Sequence, residues 1–427
     1  MTESTIRVGL LGCGAVGGAL GSLLATRGDD LLQRTGIRFE IGPIAVRDLT
    51  KPRPATLAGA DFVDDPHAVV ADPDVDIVVE LIGGIEPAMT LVKAALEAGK
   101  PVVTGNKALL ASHGSELFAV AHAAGVDLLF EASVAGGIPF IRPLRESLAG
   151  EQIFRVMGIL NGTTNYILTK MAEDGVAYDD VLAEAQALGY AEADPTADVE
   201  GHDAAAKAAI IGSIAYGRRI VLDDVYVEGI TAVTEADMAL AAKLDMVIKL
   251  LAIIEAYPEG IAVRVHPALV PLTHPLASVR DSFNAVFVEG AAVGDLMFYG
   301  RGAGGEPTAS AVLGDLIDAA QNLRKGTYAS VFASDPAPLL GMEELTAEYL
   351  LDLTVADRSG VLAIVAGALG DGGVSIRSME QVGLAGEARL QFITHRARER
   401  DMQATLAVLE SLDAVESING MIRLLGA

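Results

Sequence analysis

The sequence predicts an α/β fold: a doubly wound parallel sheet, then an α+β segment, then a compact βαββαβ tail. Three observations carry this. Short Val/Ile/Leu runs at 6–11, 39–46, 77–81, 101–104 and 126–130 alternate with helical stretches, the rhythm of parallel strands joined by crossover helices. The first run ends in Gly12-Cys13-Gly14-Ala15-Val16-Gly17 and opens directly into a helix predicted over 16–25. From 349 onward the pattern reads strand (349–355), helix (360–370), strands (374–381 and 388–394), helix (401–412) and strand (421–425), the ferredoxin-like order.

These elements divide the chain. A nucleotide-binding domain is predicted over 1–132, completed by a helix within 305–325 that follows the loop Gly300-Arg301-Gly302-Ala303-Gly304-Gly305. Residues 133–304 form the expected substrate-binding, catalytic and dimerisation domain, 326–344 a linker stiffened by Pro336 and Pro338, and 345–427 the tail. The apolar run 238–256 is broken by Lys243, Asp245 and Lys249, which predicts a buried helix and not a bilayer span.

Composition narrows the function. In 427 residues, 51% are apolar and only 5% aromatic, a balance that excludes extensive disorder and suits a helix-and-strand enzyme. Lys and Arg number 31 against 57 Asp and Glu; the net charge of -26 repels nucleic acid and membrane surfaces and leaves small molecules as the expected partners. Cys13 is the only cysteine, so intrachain disulfides and Cys-based zinc sites are out of reach, which fits a cytoplasmic location. The start of the chain lacks the basic flank and apolar stretch of an export signal. The seven histidines show no paired ligand spacing.

The glycine loop is read as a Rossmann-type dinucleotide site. Gly12 permits the tight turn, Gly14 lets the backbone approach a pyrophosphate, and Gly17 lets helix and strand pack closely. Ala15 and Val16 open the helix whose positive N-terminus faces the phosphates. No acid ends the second strand to grip a ribose hydroxyl; Arg47 stands there, with Lys51 and Arg53 close behind. That cluster suits a 2′-phosphate, so NADP(H) is preferred and NAD(H) stays open. Glu80-Leu81-Ile82-Gly83-Gly84 and Thr104-Gly105-Asn106-Lys107 end later strands on the same side, which places Gly83 and Lys107 beside the cofactor.

The stretch 185–207 is the richest. Between Gly189 and Gly201 lies a loop crowded with carboxylates, and Glu192, Asp194 and Asp198 are candidates for holding a substrate ammonium. Asp203 and Lys207 follow at i and i+4 on one helical face. Residues 204–211 are otherwise almost wholly apolar, so the helix is expected to be buried, which makes Lys207 a tunable proton donor held by Asp203. Carbonyl reduction needs such an acid opposite a hydride donor.

This stretch, with Glu131-Ala132-Ser133-Val134-Ala135-Gly136-Gly137-Ile138-Pro139, Asn161-Gly162-Thr163-Thr164-Asn165 and Gly302-Ala303-Gly304, resembles the homoserine dehydrogenases over nearly the whole chain. Asp357-Arg358-Ser359-Gly360-Val361-Leu362 and Asn419-Gly420 resemble the ACT domain, an amino-acid-sensing module. The resemblance implies NAD(P)H-dependent reduction of L-aspartate 4-semialdehyde to L-homoserine, on the route to threonine, methionine and isoleucine. It implies Lys207 as proton donor assisted by Lys107, Asp203 and Glu192 on substrate, and Asn161 to Asn165 and Gly304 lining the nicotinamide side, with Gly189 and Glu192 also near the cofactor. It further implies a monovalent cation, Na+ or K+, at Glu131 and the backbone carbonyls of Val134, Gly136 and Ile138, a threonine effector at the tail, and a homodimer or homotetramer.

Alternatives differ in what they require. A phosphorylating semialdehyde dehydrogenase needs a nucleophilic cysteine in the second domain, and none is there. Another NAD(P)-dependent amino-acid dehydrogenase, and a non-catalytic nucleotide and amino-acid sensor, stay open at this point.

Overall fold

The computed structural model describes residues 4–329, 335–384 and 387–426. Five residues of the expected linker, 330–334, lie outside them. By contact the chain divides into two compact units: 1–162 with 203–225 and 283–337, and 163–202 with 226–282 and 338–427.

The chain begins with β1 (Ser4–Leu11), α1 (Ala15–Thr35), β2 (Ile37–Ala45), β3 (Phe62–Val63), α2 (Pro66–Ala71), β4 (Ile77–Glu80), α3 (Ala88–Glu97), β5 (Val102–Thr104), α4 (Lys107–Ala124) and β6 (Leu128–Leu129). The six strands lie parallel in the order β3-β2-β1-β4-β5-β6, the doubly wound arrangement whose order reverses between β1 and β4. The Val/Ile/Leu runs are buried on both faces because helices cover both. The helix after β1 runs ten residues further than its apolar pattern suggests. It ends only where Gly36 takes a left-handed conformation and its N–H caps Leu32 O. The two-residue edge strand β3 and the short α2, capped by the Asp65 side chain, leave too little pattern to be read from sequence.

Next come β7 (Ile153–Ile159), α5 (Gly162–Asp174), α6 (Tyr178–Ala187), α7 (Thr196–Val199), α8 (His202–Tyr216), β8 (Tyr226–Val227), α9 (Glu235–Lys243), β9 (Met246–Tyr257), β10 (Gly260–Pro271), β11 (Phe283–Gly290), β12 (Gly294–Arg301) and α10 (Gly305–Lys325). In the first unit, β11 pairs antiparallel with both β7 and β12. Helix α10 lies on α1 and inserts Ala309, Val312, Leu316, Ala319 and Ala320 into one core with Val8, Leu10, Leu20, Ile77 and Val79, so the first sheet is completed from far along the chain.

One expectation is overturned. The run 238–256 is not a helix: α9 stops at Lys243, Asp245 adopts φ +55, and β9 pairs residue by residue with β10 from Met246–Pro271 to Tyr257–Gly260. Burial along the middle of β9 fills both of its faces, so its apolar residues run consecutively and carry no alternating signal.

The tail holds β13 (Thr346–Ala356), α11 (Val361–Asp371), β14 (Ile376–Leu384), β15 (Glu387–Thr394), β16 (Ala397–Arg398), α12 (Glu399–Glu410) and β17 (Val415–Leu424). Its strands lie in the order β17-β13-β15-β14, each antiparallel to its neighbour, around a core of Tyr349, Leu351, Leu353, Val365, Phe392, Met402 and Leu409. Asn419 sits at a register shift in β17. In the same unit β17 also pairs parallel with β10, and Leu425 N donates to Leu269 O at 2.8 Å. The described part of the linker is pinned as well: Ile261 N donates to Pro338 O at 2.7 Å.

Candidate active site

The end of β1 turns tightly into α1. Gly12 has φ +101, and a Cβ there would stand 2.9 Å from Leu81 O. Gly17 lies so close to the turn that a Cβ would reach 2.3 Å from Gly12 O, whereas nothing occupies 4 Å around the same position on Gly14. The open side of Gly14, at the head of α1 with Ala15 and Val16, leaves room beside a helix N-terminus that no side chain caps, a setting that suits an anion. The head of α10 comes to the same place: a Cβ on Gly305 would stand 3.0 Å from Ala15 O, and Gly304 caps that helix at φ +123.

Of the three cations near the second strand, Arg47 and Lys51 are exposed. Arg53 is not available to a ligand in the same way. Its Nη1 donates to Cys13 O in the glycine loop, its Nη2 donates to Asp48 O at 2.9 Å, and the guanidinium lies 5.8 Å from the Phe62 ring centre. It braces the glycine loop. Burial pushes the Cys13 thiol up, against the pull of Arg53.

The ends of β4 and β5 are joined by a buried carboxylate that sequence reasoning gave no separate role. Glu80 Oε1 accepts from Ile82 N at 2.8 Å and Gly83 N at 3.1 Å, and Oε2 accepts from the Thr104 hydroxyl at 2.6 Å. Asn106 then caps α4 through Leu109 N at 3.1 Å and donates to Gly84 O at 2.7 Å. Together these fix Gly83 and set Lys107 as the first residue of α4.

Lys107, Asp203 and Lys207 come together in the first unit. Residues 203–212 of α8 are all buried, as the apolar pattern requires. Lys207 Nζ donates to Asp203 Oδ2 at 2.7 Å and to Leu160 O at 2.7 Å. Asp203 Oδ2 also accepts from Asn161 Nδ2 at 2.9 Å, and Lys107 Nζ pairs with Oδ1. Burial opposes a charge on Asp203, but Lys207 and Lys107 outweigh it and hold the carboxyl well below the usual carboxylate range. Lys207 is almost enclosed, while the Lys107 side chain is 46% exposed. Two of the three Nζ hydrogens of Lys207 have acceptors among the described residues, and an amine so held can offer its third hydrogen to an oxygen brought beside it. The Leu160 carbonyl and the Asn161 amide carry no sequence signal of this contact.

The turn 131–142 is tightly built. Glu131 Oε1 accepts from Phe140 N at 2.5 Å and Ile141 N at 2.7 Å, and Oε2 from Arg142 N at 2.8 Å, so its carboxylate caps the following helical turn. Asp315 on α10 accepts from Glu131 N at 2.7 Å; burial and the Glu131 charge push its carboxyl up to about 7. Gly136 is pressed against the 302–303 backbone. None of the Val134, Gly136 and Ile138 carbonyls accepts a hydrogen bond from a described residue. An all-oxygen set of this kind fits a hard monovalent cation, with Glu131 contributing its backbone oxygen because its side chain is committed. Among the described residues no group of three or more His, Cys, Asp or Glu is placed to hold a metal.

Gly189, Glu192 and Asp198 belong to the second unit. Gly189 turns at φ +76, the Glu192 side chain is exposed and its carbonyl accepts from Gln186 Nε2 at 3.1 Å, and Asp198 lies half-buried in α7. Asp194 is committed locally, its Oδ1 accepting from Thr196 Oγ1 at 2.6 Å, which holds its carboxyl below the usual range. In α5, Thr163 donates to Tyr190 O at 2.8 Å, while Asn165 accepts from the buried Lys249 at 3.0 Å.

Comparison with known proteins supplies the reaction. Residues 12–131 match the family model described as homoserine dehydrogenase, NAD binding domain, and 139–317 match that described as homoserine dehydrogenase. The homoserine dehydrogenase of Corynebacterium glutamicum is 52% identical over 99% of this chain and 96% of its own length. A solved homoserine dehydrogenase from Thiobacillus denitrificans superposes with a TM-score of 0.93 at 43% identity, covering 99% of each chain. A hyperthermophilic archaeal homoserine dehydrogenase in complex with NADPH superposes at 0.62 with 28% identity over 74% of this chain and 98% of that one. No helix among the described residues is long and apolar enough to cross a membrane. The other amino-acid dehydrogenase and the non-catalytic sensor therefore fall away: the chain is an oxidoreductase acting on a CH–OH group, with an NAD(P)-binding domain, and belongs to the homoserine dehydrogenase family.

Proposed function

We propose that Lys207 is the proton donor in the reduction of L-aspartate 4-semialdehyde, and that the observation carrying this is the enclosed Lys207–Asp203–Leu160 arrangement. The nicotinamide cofactor, bound along Gly12, Gly14, Ala15, Val16, Gly17, Gly83 and Gly304, supplies the hydride. Lys207 Nζ directs its remaining hydrogen at the aldehyde oxygen and transfers it to the alkoxide as the C–H bond forms. Asp203 holds the amine in place and stabilises its charge, and Lys107, on the same carboxylate, orients the substrate from the more exposed side. Glu192 and Asp198 hold the substrate ammonium, with Gly189 shaping the turn that delivers them.

NADP(H) is the preferred cofactor in this reading, with Arg47 and Lys51 on the 2′-phosphate; their exposure supports it, as does the NADPH in the archaeal relative. Na+ or K+ on the Glu131, Val134, Gly136 and Ile138 carbonyls stiffens the turn beneath α10. The division into 1–132 with a helix from 305–325, 133–304 and 345–427 is retained as a functional one. The tail is an ACT module answering to threonine, its ferredoxin-like strand order being the support, and the enzyme works in the cytoplasm as a homodimer or homotetramer on the route to threonine, methionine and isoleucine. Following NADPH and NADH absorbance with aspartate semialdehyde, with and without threonine, tests these together. Turnover that prefers NADPH and falls with threonine is expected; preference for NADH removes the phosphate clamp, and an unchanged rate with threonine removes the effector.

A further inference from the structure

The last strand of the tail carries a buried cation that the proton transfer above does not use. Arg423, 3% exposed on β17, donates through Nε to Glu399 Oε2 at 2.9 Å and through Nη2 to Glu399 Oε1 at 2.6 Å. The Tyr349 hydroxyl donates to the same carboxylate at 2.9 Å. That bidentate pair already balances the guanidinium within the tail. Yet Nη1 reaches out of the tail to Glu228 Oε2 at 2.6 Å, and the guanidinium lies 5.7 Å from the Tyr226 ring centre.

Glu228 begins a short stretch on which the carboxylate-rich loop rests. Its N–H donates to Val265 O on β10 at 2.8 Å. At the next residue, a Cβ on Gly229 would stand 2.4 Å from Val199 O and 2.7 Å from Glu200 Cα, so the two backbones touch. Ile230 N donates to Val199 O at 2.8 Å, and the Thr231 hydroxyl donates to Glu200 Oε1 at 3.3 Å. Gly201 turns at φ +83 with its Cβ position 3.1 Å from a Val227 methyl. Residues 227–231 are thus a floor beneath 199–201, directly after Asp198 and directly before the helix that carries Asp203 and Lys207.

We propose that Arg423 is a positioning residue of the reaction: through its arm to Glu228 it fixes the floor under 199–201, so that the tail sets the placement of the substrate-binding loop. This rests on the reading of 192–200 as the loop that holds substrate. Loss of the arm alone leaves the fold intact, because the Glu228 side chain is 39% exposed and Arg423 keeps Glu399.

The test uses the full-length enzyme with Glu228→Ala and Glu228→Gln. The alanine variant is expected to lose roughly threefold to thirtyfold in kcat/KM for aspartate semialdehyde, chiefly through KM, with the KM for NADPH unchanged. The glutamine variant keeps an oxygen for Nη1 and restores most of the loss. Arg423→Met is expected to lower Tm and to take less from kcat/KM in the Glu228→Ala background than in the wild type, since the arm to Glu228 is already broken and only the Tyr226 contact remains. An alanine variant with wild-type kcat/KM, whatever its Tm, overturns the proposal, and so does an equal loss in both Glu228 variants. Lys207→Ala run alongside separates the two readings: if it is inactive while Glu228→Ala is unaffected, only the positioning role fails.

Discussion

At Lys207 the decisive quantity is one hydrogen. With Asp203 and Leu160 taking two of the three on Nζ, the amine cannot turn away from the site without breaking a bond. Lys207→Ala is expected to cut kcat by roughly a hundredfold to ten-thousandfold, the range for a lost general acid, while NADPH affinity measured by fluorescence titration stays near wild type. Wild-type turnover would remove Lys207 from the chemistry. Arg47 is argued by difference: it is exposed, while Arg53 is held by two backbone carbonyls. Arg47→Ala should therefore weaken NADPH on the order of tenfold or more, the scale of a lost bond to a charged group, and leave NADH nearly unchanged. Equal losses for the two cofactors would count against a phosphate clamp. The Asp203–Lys207 pair is legible because i and i+4 spacing is local; the contacts that Asn161, Leu160 and Glu80 make are not, because their partners lie across other strands and helices.

Helix α1 and the turn before it give two glycines with opposite failures. A side chain on Gly14 meets nothing, so Gly14→Val should keep its Tm and lose cofactor binding, because the new methyls fill the pyrophosphate's space. One on Gly17 collides with Gly12 O, so Gly17→Val should lose about 1–3 kcal/mol of stability, the usual scale of overpacking, readable by chemical denaturation. If both variants lose only stability, the turn is structural. On β10, burial, reinforced by the Arg423 and Arg264 guanidinium groups, pushes the His266 imidazole down to about 3. The folded chain then holds no proton there, while the unfolded chain gains one below about 6.5. Stability should fall as pH drops from about 6.5 toward 3 and be indifferent to this group above that window. His266→Leu should show a smaller drop in Tm between neutrality and about pH 5; an identical drop would exclude His266 as a source. The same pair of strands shows where pattern reading stops: the residues of β9 read as a helix because an apolar run without alternation fits either element, and only pairing with β10 decides.

Over the whole molecule, the parallel sheet, its glycine turn and the order of the tail's elements were all legible, because each is written in short-range periodicity and punctuation. What the pattern left out is how the tail attaches. The sequence reads 326–344 as a linker ahead of a compact tail; in the structure β17 pairs with β10, and Arg423 joins Glu228, so 338–427 shares one compact unit with 226–282. Removing the tail would expose the edge of β10 and strand Glu228, which is why point variants, not truncation, are the means of testing what the tail does to catalysis.

The five residues that α10 lends to the first sheet also bear on how the chain is made. A ribosome that has delivered every strand of that sheet has still not delivered its last wall, and at ordinary translation speeds roughly ten seconds or more pass before residue 320 emerges. Until then the nascent sheet presents one greasy side to the cell, and the interval is a natural station for a chaperone.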